Sequence, residues 1–222
     1  MSWTIKQTGG GVSARRNLSL EINDQVGIAL ARVWAAVCWP VDGPGYLLTA
    51  GQARDGGHVY LLAEAQELDW QALVRQACQV REALGASLFL HQGGAVGEAF
   101  RDRANRLVRE ERCTKIEPWG EPACLNFDQA PFQDLPHYLA ALASCWLKSG
   151  RLTILPGLAL VIDQLKQAQS IQPREVVQSL PELFALRALL YLLAGFDAWP
   201  APTPGSKAQA LELAPADAVA GF

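Results

Sequence analysis

The chain has 222 residues, half of them hydrophobic and 18% charged, with a formal net charge of −3 at pH 7. That is enough chain to bury one large core, and it is too apolar for a disordered protein. The slight negative balance excludes a whole-protein attraction to nucleic acid or anionic lipid and leaves only local basic patches to consider. Five cysteines, with no Cys-x-x-Cys pair among them, argue against a disulfide framework and against a zinc site. They fit reduced, mostly buried thiols in a cytoplasm. The N-terminal MSWTIKQTGG lacks the apolar segment of a secretion signal. The apolar run Leu183–Phe196 is interrupted by Arg187 and is too short to span a bilayer, so a buried helix is expected there and no membrane partner.

Residues 1–20 hold Gly9, Gly10 and Gly11 and show little periodicity, so they read as an irregular arm. Leu18, Leu20 and Ile22 alternate with polar residues, as in a short edge strand. The run VGIALARVWAAVCWPV over Val26–Val41 is apolar, rich in β-branched and aromatic residues and broken only by Arg32. Its length predicts two adjoining central strands. Asp42-Gly43-Pro44-Gly45 is a turn by composition, Tyr46–Ala50 a strand, and Arg54-Asp55-Gly56-Gly57 a second turn with hairpin chemistry. A returning strand over His58–Glu67 completes an antiparallel meander.

Asp69 caps a helix whose Trp70, Leu73, Val74, Ala77 and Leu84 share one face, and Gly85 sits at its end. Ser87–His91 follows as a strand reached by a helical crossover, which makes it parallel to an earlier strand. Gly93-Gly94 opens a second helix with Val96, Phe100, Ala104, Leu107 and Val108 inward. Its other face carries five arginines from Arg101 to Arg112 among acids, and reads as a solvated, self-paired face rather than a phosphate track. A short strand is expected at Cys113–Glu117, then a long loop to about Leu135. A helix through Leu139, Leu142, Trp146 and Leu147 stops at Gly150, and Arg151–Leu155 is extended. Two more helices follow, one through Leu158, Val161, Ile162 and Leu165 and one from about Pro181 to Ala194. From Trp199 on, the Pro-, Ala- and Gly-rich sequence reads as a flexible tail. The expected division is an arm over 1–20, one domain over 21–198 and a tail over 199–222.

Three antiparallel strands, a helix, a parallel strand, a helix, a further strand and C-terminal helices are the element order of the ribonuclease H-like fold. The second half resembles the nuclease domain of phage terminase large subunits. The segment DLPHYLAALASCWLKSGRLTILP is similar to that family's helix, small-residue-Gly-Arg turn and short strand ending in Pro. ALVIDQLKQA and LPELFALRALLYLLAGF continue the family's order, and VYLLAEAQELDWQALVRQACQVREALGASLFLHQGG resembles its strand, helix and acid-bearing strand. The resemblance covers roughly residues 24–196 and implies an α/β fold with a central mixed sheet of about five strands flanked by helices.

Nucleases of this family cut DNA with two divalent metals, which need clustered carboxylates as hard oxygen ligands. The resemblance places the three acid positions near Ala29, at His91, and on Leu180, Pro181 and Phe184. None is a carboxylate. Asp24, Glu64 and Glu182 are the residual acids that could substitute if the protein cuts DNA. The chain also lacks the G-x-x-x-x-G-K-[ST] phosphate loop of the family's ATPase domain. The expectation is therefore a nuclease-like domain of phage or prophage origin without cleavage machinery and without a cofactor. It would be kept for binding a packaging or host protein, with DNA binding left open. Two alternatives stand beside it. One is a two-metal nuclease with relocated carboxylates that uses Mg or Mn, and the other is an unrelated α/β interaction module.

Single residues carry little on their own. His91 reads as a half-buried residue filling the place of a lost acid, and His58 and His137 read as surface residues. Trp34, Trp39, Trp70 and Trp146 fall on predicted core faces, whereas Trp119 and Trp199, beside prolines, are better placed to contact a partner.

Overall fold

One 13-residue strand, β3 (Val26–Cys38), forms the centre of the protein. The computed structural model describes residues 4–7, 18–22, 26–39, 43–54, 57–115, 122–155, 157–170, 178–180 and 182–199. Asp24, Asp42, Asp55, Gly56, Trp119, Pro181 and the tail from residue 200 lie outside them. Before β3 come β1 (Thr4–Gln7) and β2 (Leu18–Ile22), which pair with each other and, through β2, with residues 26–29 of β3. The expected irregular arm thus contains a strand at 4–7, and the strand expected from Leu18, Leu20 and Ile22 is present but is not an edge, since β1 and β3 flank it.

After β3 the chain turns back twice, into β4 (Gly45–Ala53) and β5 (Val59–Glu67), both antiparallel to their predecessors. The run expected as two strands is therefore one. A bulge between Leu30 and Arg32 lets it continue past its exchange of partners from β2 to β4. The same bulge puts Leu30 against Gly51, where an added Cβ would stand 2.6 Å from Leu30 Cδ1. Arg32 and Trp34 share the opposite face.

Helix α1 (Trp70–Leu84) then crosses over. Asp69 accepts hydrogen bonds from the Gln71 and Ala72 N–H groups, a cap worth about 1 kcal/mol. Gly85 ends the helix at φ 70°, a backbone angle that favours glycine. Leu73, Val74, Ala77 and Leu84 are buried against the sheet as expected. β6 (Leu88–His91) returns parallel to residues 34–37 of β3, on the edge that β4 leaves free. Next comes α2 (Gly94–Glu111), which buries Gly97, Phe100, Ala104, Leu107 and Val108. Val96, expected inward, is exposed. Gly97 takes the inward place because no side chain fits between α2 and the end of β6.

The strand expected at Cys113–Glu117 is absent over its described residues, 113–115. Within the expected loop, β7 (Phe127–Gln129) pairs parallel to β6 instead. Phe127 anchors it by packing on Phe89 and Phe100. Next, α3 (Pro136–Lys148) leads to β8 (Leu152–Ile154), parallel to β5. Helices α4 (Ala159–Ser170) and α5 (Phe184–Ala198) complete the described chain. The last helix begins three residues later than expected, and its residues 188–196 are buried throughout.

The sheet order is β1-β2-β3-β4-β5-β8, with β6 on the other edge of β3 and β7 beyond it. The five central strands run β5-β4-β3-β6-β7, three antiparallel and then two parallel, which is the ribonuclease H-like arrangement. The antiparallel meander followed by a parallel fourth strand matches the expected element order. Helices cover both faces. Side chains alternate along a strand, so Trp34, Ala36 and Cys38 face α5, while Val33, Ala35 and Val37 face α1 and α2. On the α5 side Trp34 stacks on Phe196 with centroids 4.9 Å apart.

Candidate functional site

In an open α/β sheet the crevice outside the carboxyl ends of neighbouring parallel strands is where chemistry is usually placed. Here those ends are Cys38 of β3 and His91 of β6. Val37 is the residue across from His91, so Cys38 points to the opposite face from His91. Ala29 lies eight positions upstream of Val37 and pairs with Ser19 of β2. The expected acid positions Ala29, His91 and Phe184 are therefore not gathered into one cluster.

His91 is 1% exposed, and its Nδ1 lies 2.7 Å from the Gln92 carbonyl oxygen. That oxygen can only accept, so Nδ1 carries the proton and donates. Nε2 is buried with no hydrogen-bond partner. The ring is edge-on to Phe127 and backed by α2 at Gly97. This is a core histidine. His58 is half-buried rather than a surface residue: its Nε2 lies 2.7 Å from Thr153 Oγ1 and its ring packs on Tyr60. His137 is exposed, as expected.

A second group lies on the α5 side. Tyr46, at the start of β4, is paired with Cys38 and is fully buried. Its hydroxyl donates to Glu64 Oε2 at 2.6 Å. Glu64 also accepts from the backbone N–H groups of Leu160 at 2.9 Å and Val161 at 3.1 Å, the first turn of α4. Both carboxylate oxygens are thus spent on fixing β4 and α4 to β5. Burial, then the hydrogen bond to Glu64, pushes the Tyr46 hydroxyl far above its usual range, so it stays a donor.

The first turn of α5 is closed in the same way. Buried Gln164, from α4, accepts at Oε1 from the Ala185 and Leu186 N–H groups at 2.8 and 3.1 Å. Phe184 packs its ring on Tyr46 with centroids 5.6 Å apart. Glu182 is exposed just ahead of the helix. Of the residual acids, Glu64 is committed to structure and Glu182 points to solvent, while Asp24 lies outside the described residues.

Arg187, one turn into α5, lies beside the Cys38 thiol, and Tyr191 follows on the same helix face. Burial raises the Cys38 thiol above its usual range, an effect that Arg187 opposes. Burial also lifts the Tyr191 hydroxyl above its usual range. The guanidinium Nε and Nη2 are buried and have no hydrogen-bond partner. Sequence reasoning missed both Arg187 and Gln164. Arg187 was visible as the one charge in an apolar run. Gln164 gave no signal, because any long polar residue on a helix normally faces water.

These residues do not suit a divalent metal. A hard cation wants clustered carboxylate oxygens, whereas this crevice offers one carboxylate, Glu64, already accepting three hydrogen bonds, beside a thiol, two phenols and a guanidinium whose charge repels a cation. Among the described residues no group of three or more His, Cys, Asp or Glu is placed to hold a metal ion. No described helix is long and apolar enough to cross a membrane.

Two expectations about side chains change. Of the five cysteines only Cys38 and Cys78 are buried, while Cys124 and Cys145 are exposed and Cys113 is intermediate. Trp34 and Trp146 are buried, Trp39 and Trp70 are partly so, and Trp199 is exposed at the end of α5. On α2, Arg101 pairs with Asp102 at 3.1 Å, and Glu111 is held by Arg75 of α1. The first of these pairs lies within α2, and the second joins it to α1.

No protein-family profile matches the chain, and no curated protein is similar to it. Solved structures are. The phage P22 large terminase nuclease domain is 11% identical, with a TM-score of 0.46 over 61% of this chain and 66% of that one. A large terminase from a thermophilic bacteriophage is 9% identical, with a TM-score of 0.43 over 61% of this chain and 30% of that one. The human cytomegalovirus terminase nuclease domain, soaked with Mn and bound to an inhibitor, is 11% identical, with a TM-score of 0.48 over 74% of this chain and 83% of that one. The chain thus spans just under two thirds of the first and less than a third of the second. In structure it is similar to large-terminase nuclease domains.

Proposed function

We propose that this protein is a terminase-nuclease-like domain of phage or prophage origin that has lost its metal-binding acids and works as a binding or scaffolding module. Its partner is a phage packaging protein or a host protein. The observation that carries this reading is the state of Glu64. Of the two residual acids among the described residues it is the one that packs against the crevice, and its oxygens accept from the Tyr46 hydroxyl and two α4 amides. Freeing it for a metal would leave three donors without their acceptor, two of them on the buried residues Tyr46 and Val161, at a cost of about 1–3 kcal/mol for each buried one. Arg187 adds a partly buried positive charge nearby, where a nuclease of this kind needs negative ones. The topology and the element order of residues 24–196 support the descent. The ligand set argues against the activity.

The test is a Mn²⁺ and Mg²⁺ titration of the pure protein by calorimetry, run beside digestion of supercoiled plasmid. The expected result is no saturable metal uptake and no nicking. EDTA-sensitive nicking together with stoichiometric Mn²⁺ binding would restore the two-metal nuclease.

A further inference from the structure

Arg75 shows how an arginine of this fold engages an oxyanion. Its Nε and Nη2 donate in parallel to Glu111 Oε2 and Oε1, at 2.8 and 2.7 Å. Arg187 has the same edge of its guanidinium, Nε and Nη2, buried and without a partner. These are the two donors that match a pair of oxygens on one centre. The guanidinium also interacts with the Cys38 thiol, a weak partner, and its two buried donors left without an acceptor are costly. Other polar groups on this face of the sheet are already used: the Tyr46 hydroxyl and Glu64 bind each other, and Gln164 caps α5. Asp134, the acid that acts on neighbouring Tyr191, is exposed, and none of its oxygens reaches Nε or Nη2. As a residue Arg187 is only partly buried, so part of it meets solvent.

We propose that Arg187 is a metal-independent receptor for a small oxyanion with two oxygens on one centre, a phosphate group or a carboxylate, held side-on by Nε and Nη2 between Cys38 and Tyr191. This deepens the binding-module reading and rests on it only for the absence of metal. It gives the crevice a ligand class opposite in charge to a metal ion.

The experiment uses the whole chain in EDTA, so that its outcome is independent of the metal titration above. Melting temperature and the arginine Nε–H resonances are followed during titration with sodium phosphate and, separately, sodium acetate, against sodium chloride at equal ionic strength. The expected result is a saturable rise in melting temperature with at least one of the two anions, together with a shift of a single Nε–H signal. That signal is assigned to Arg187 by its disappearance in Arg187→Lys. The anion that saturates at lower concentration identifies the source, phosphate ester or carboxylate. Arg187→Met should melt higher than wild type in chloride and should not respond to either anion. The inference is overturned if neither anion does more than chloride and no Nε–H signal moves, or if Arg187→Met keeps the wild-type response. Should a variant fail to fold, the wild-type titration decides alone.

Discussion

The Tyr46 hydroxyl donates to Glu64 Oε2 at 2.6 Å, and the same carboxylate accepts from the Leu160 and Val161 amides in the first turn of α4. Strand and helix therefore share one anchor, and it is the side chain that a metal site would have to borrow. Glu64→Gln should lower the stability measured by urea unfolding by about 1–3 kcal/mol, with Tyr46→Phe costing about 1 kcal/mol. The double variant should cost less than the sum of the two. Additive losses would mean that the two groups stabilise the protein independently.

The aromatic stack at the far end of α5 should be more costly to disrupt. Trp34 lies flat on Phe196 and meets Trp199 edge-on, and the Arg32 guanidinium sits 3.9 Å above its ring while donating to Gln52 and the Phe196 carbonyl. Burial lowers Arg32 to about 10, which leaves it charged at neutral pH. Trp34→Ala should therefore cost about 3–5 kcal/mol in the same unfolding measurement. Arg32→Met should cost less, since its stem still packs.

Helix α2 is seated on β6 with no space for a methyl group. A Cβ at Gly97 would run into the Gln92 carbonyl oxygen and stand 2.7 Å from His91 Nδ1. Gly97→Ala should destabilise the protein by about 1–3 kcal/mol, although alanine is the better helix former. A neutral or positive effect on thermal melting would mean that α2 sits further from the strand.

Glu111, held by Arg75, has its carboxyl below the usual carboxylate range, chiefly through that hydrogen bond. A carboxyl lowered in the folded state contributes stability above its unfolded value and loses it as pH falls through its folded value. Both partners are largely exposed, so the contribution is small and screened by salt. Melting temperature should fall slightly more between neutral and strongly acid pH for wild type than for Glu111→Gln. High salt should erase the difference.

Thiol reactivity should separate the cysteines. Cys124 and Cys145 are exposed and should react quickly with an aromatic disulfide reagent at neutral pH. Burial, with neighbouring Cys113, pushes Cys78 up to about 12, and burial raises Cys38, so these two should react only after unfolding. Four fast thiols in the native protein would contradict this core.

Much of the frame was legible because it rests on local signals. Asp69 and Gly85 mark α1 at both ends, the turn residues mark the meander, and a helix before Leu88 dictates a parallel return. The misreadings arose where long-range packing decides. A bulge near Arg32 lets one strand do the work of two. Phe127 makes a strand of three residues by filling space beside Phe89 and Phe100, which no local pattern announces. The absence of acids at Ala29, His91 and Phe184 could be read directly. That Glu64 and Gln164 occupy the helix starts could not, because each acts on amides nearly a hundred and about twenty positions away.

The long central strand also bears on how the chain reaches this state. β3, β4 and β5 close on one another through short turns, so the meander can condense early from contacts near in sequence. β8 finds β5, and α5 finds Trp34, only after most of the polypeptide is available, and each must overcome the entropy of a long closure before any contact rewards it. Truncation before α5 should therefore leave a collapsed but unfinished sheet, with its α5-facing aromatic surface open to aggregation.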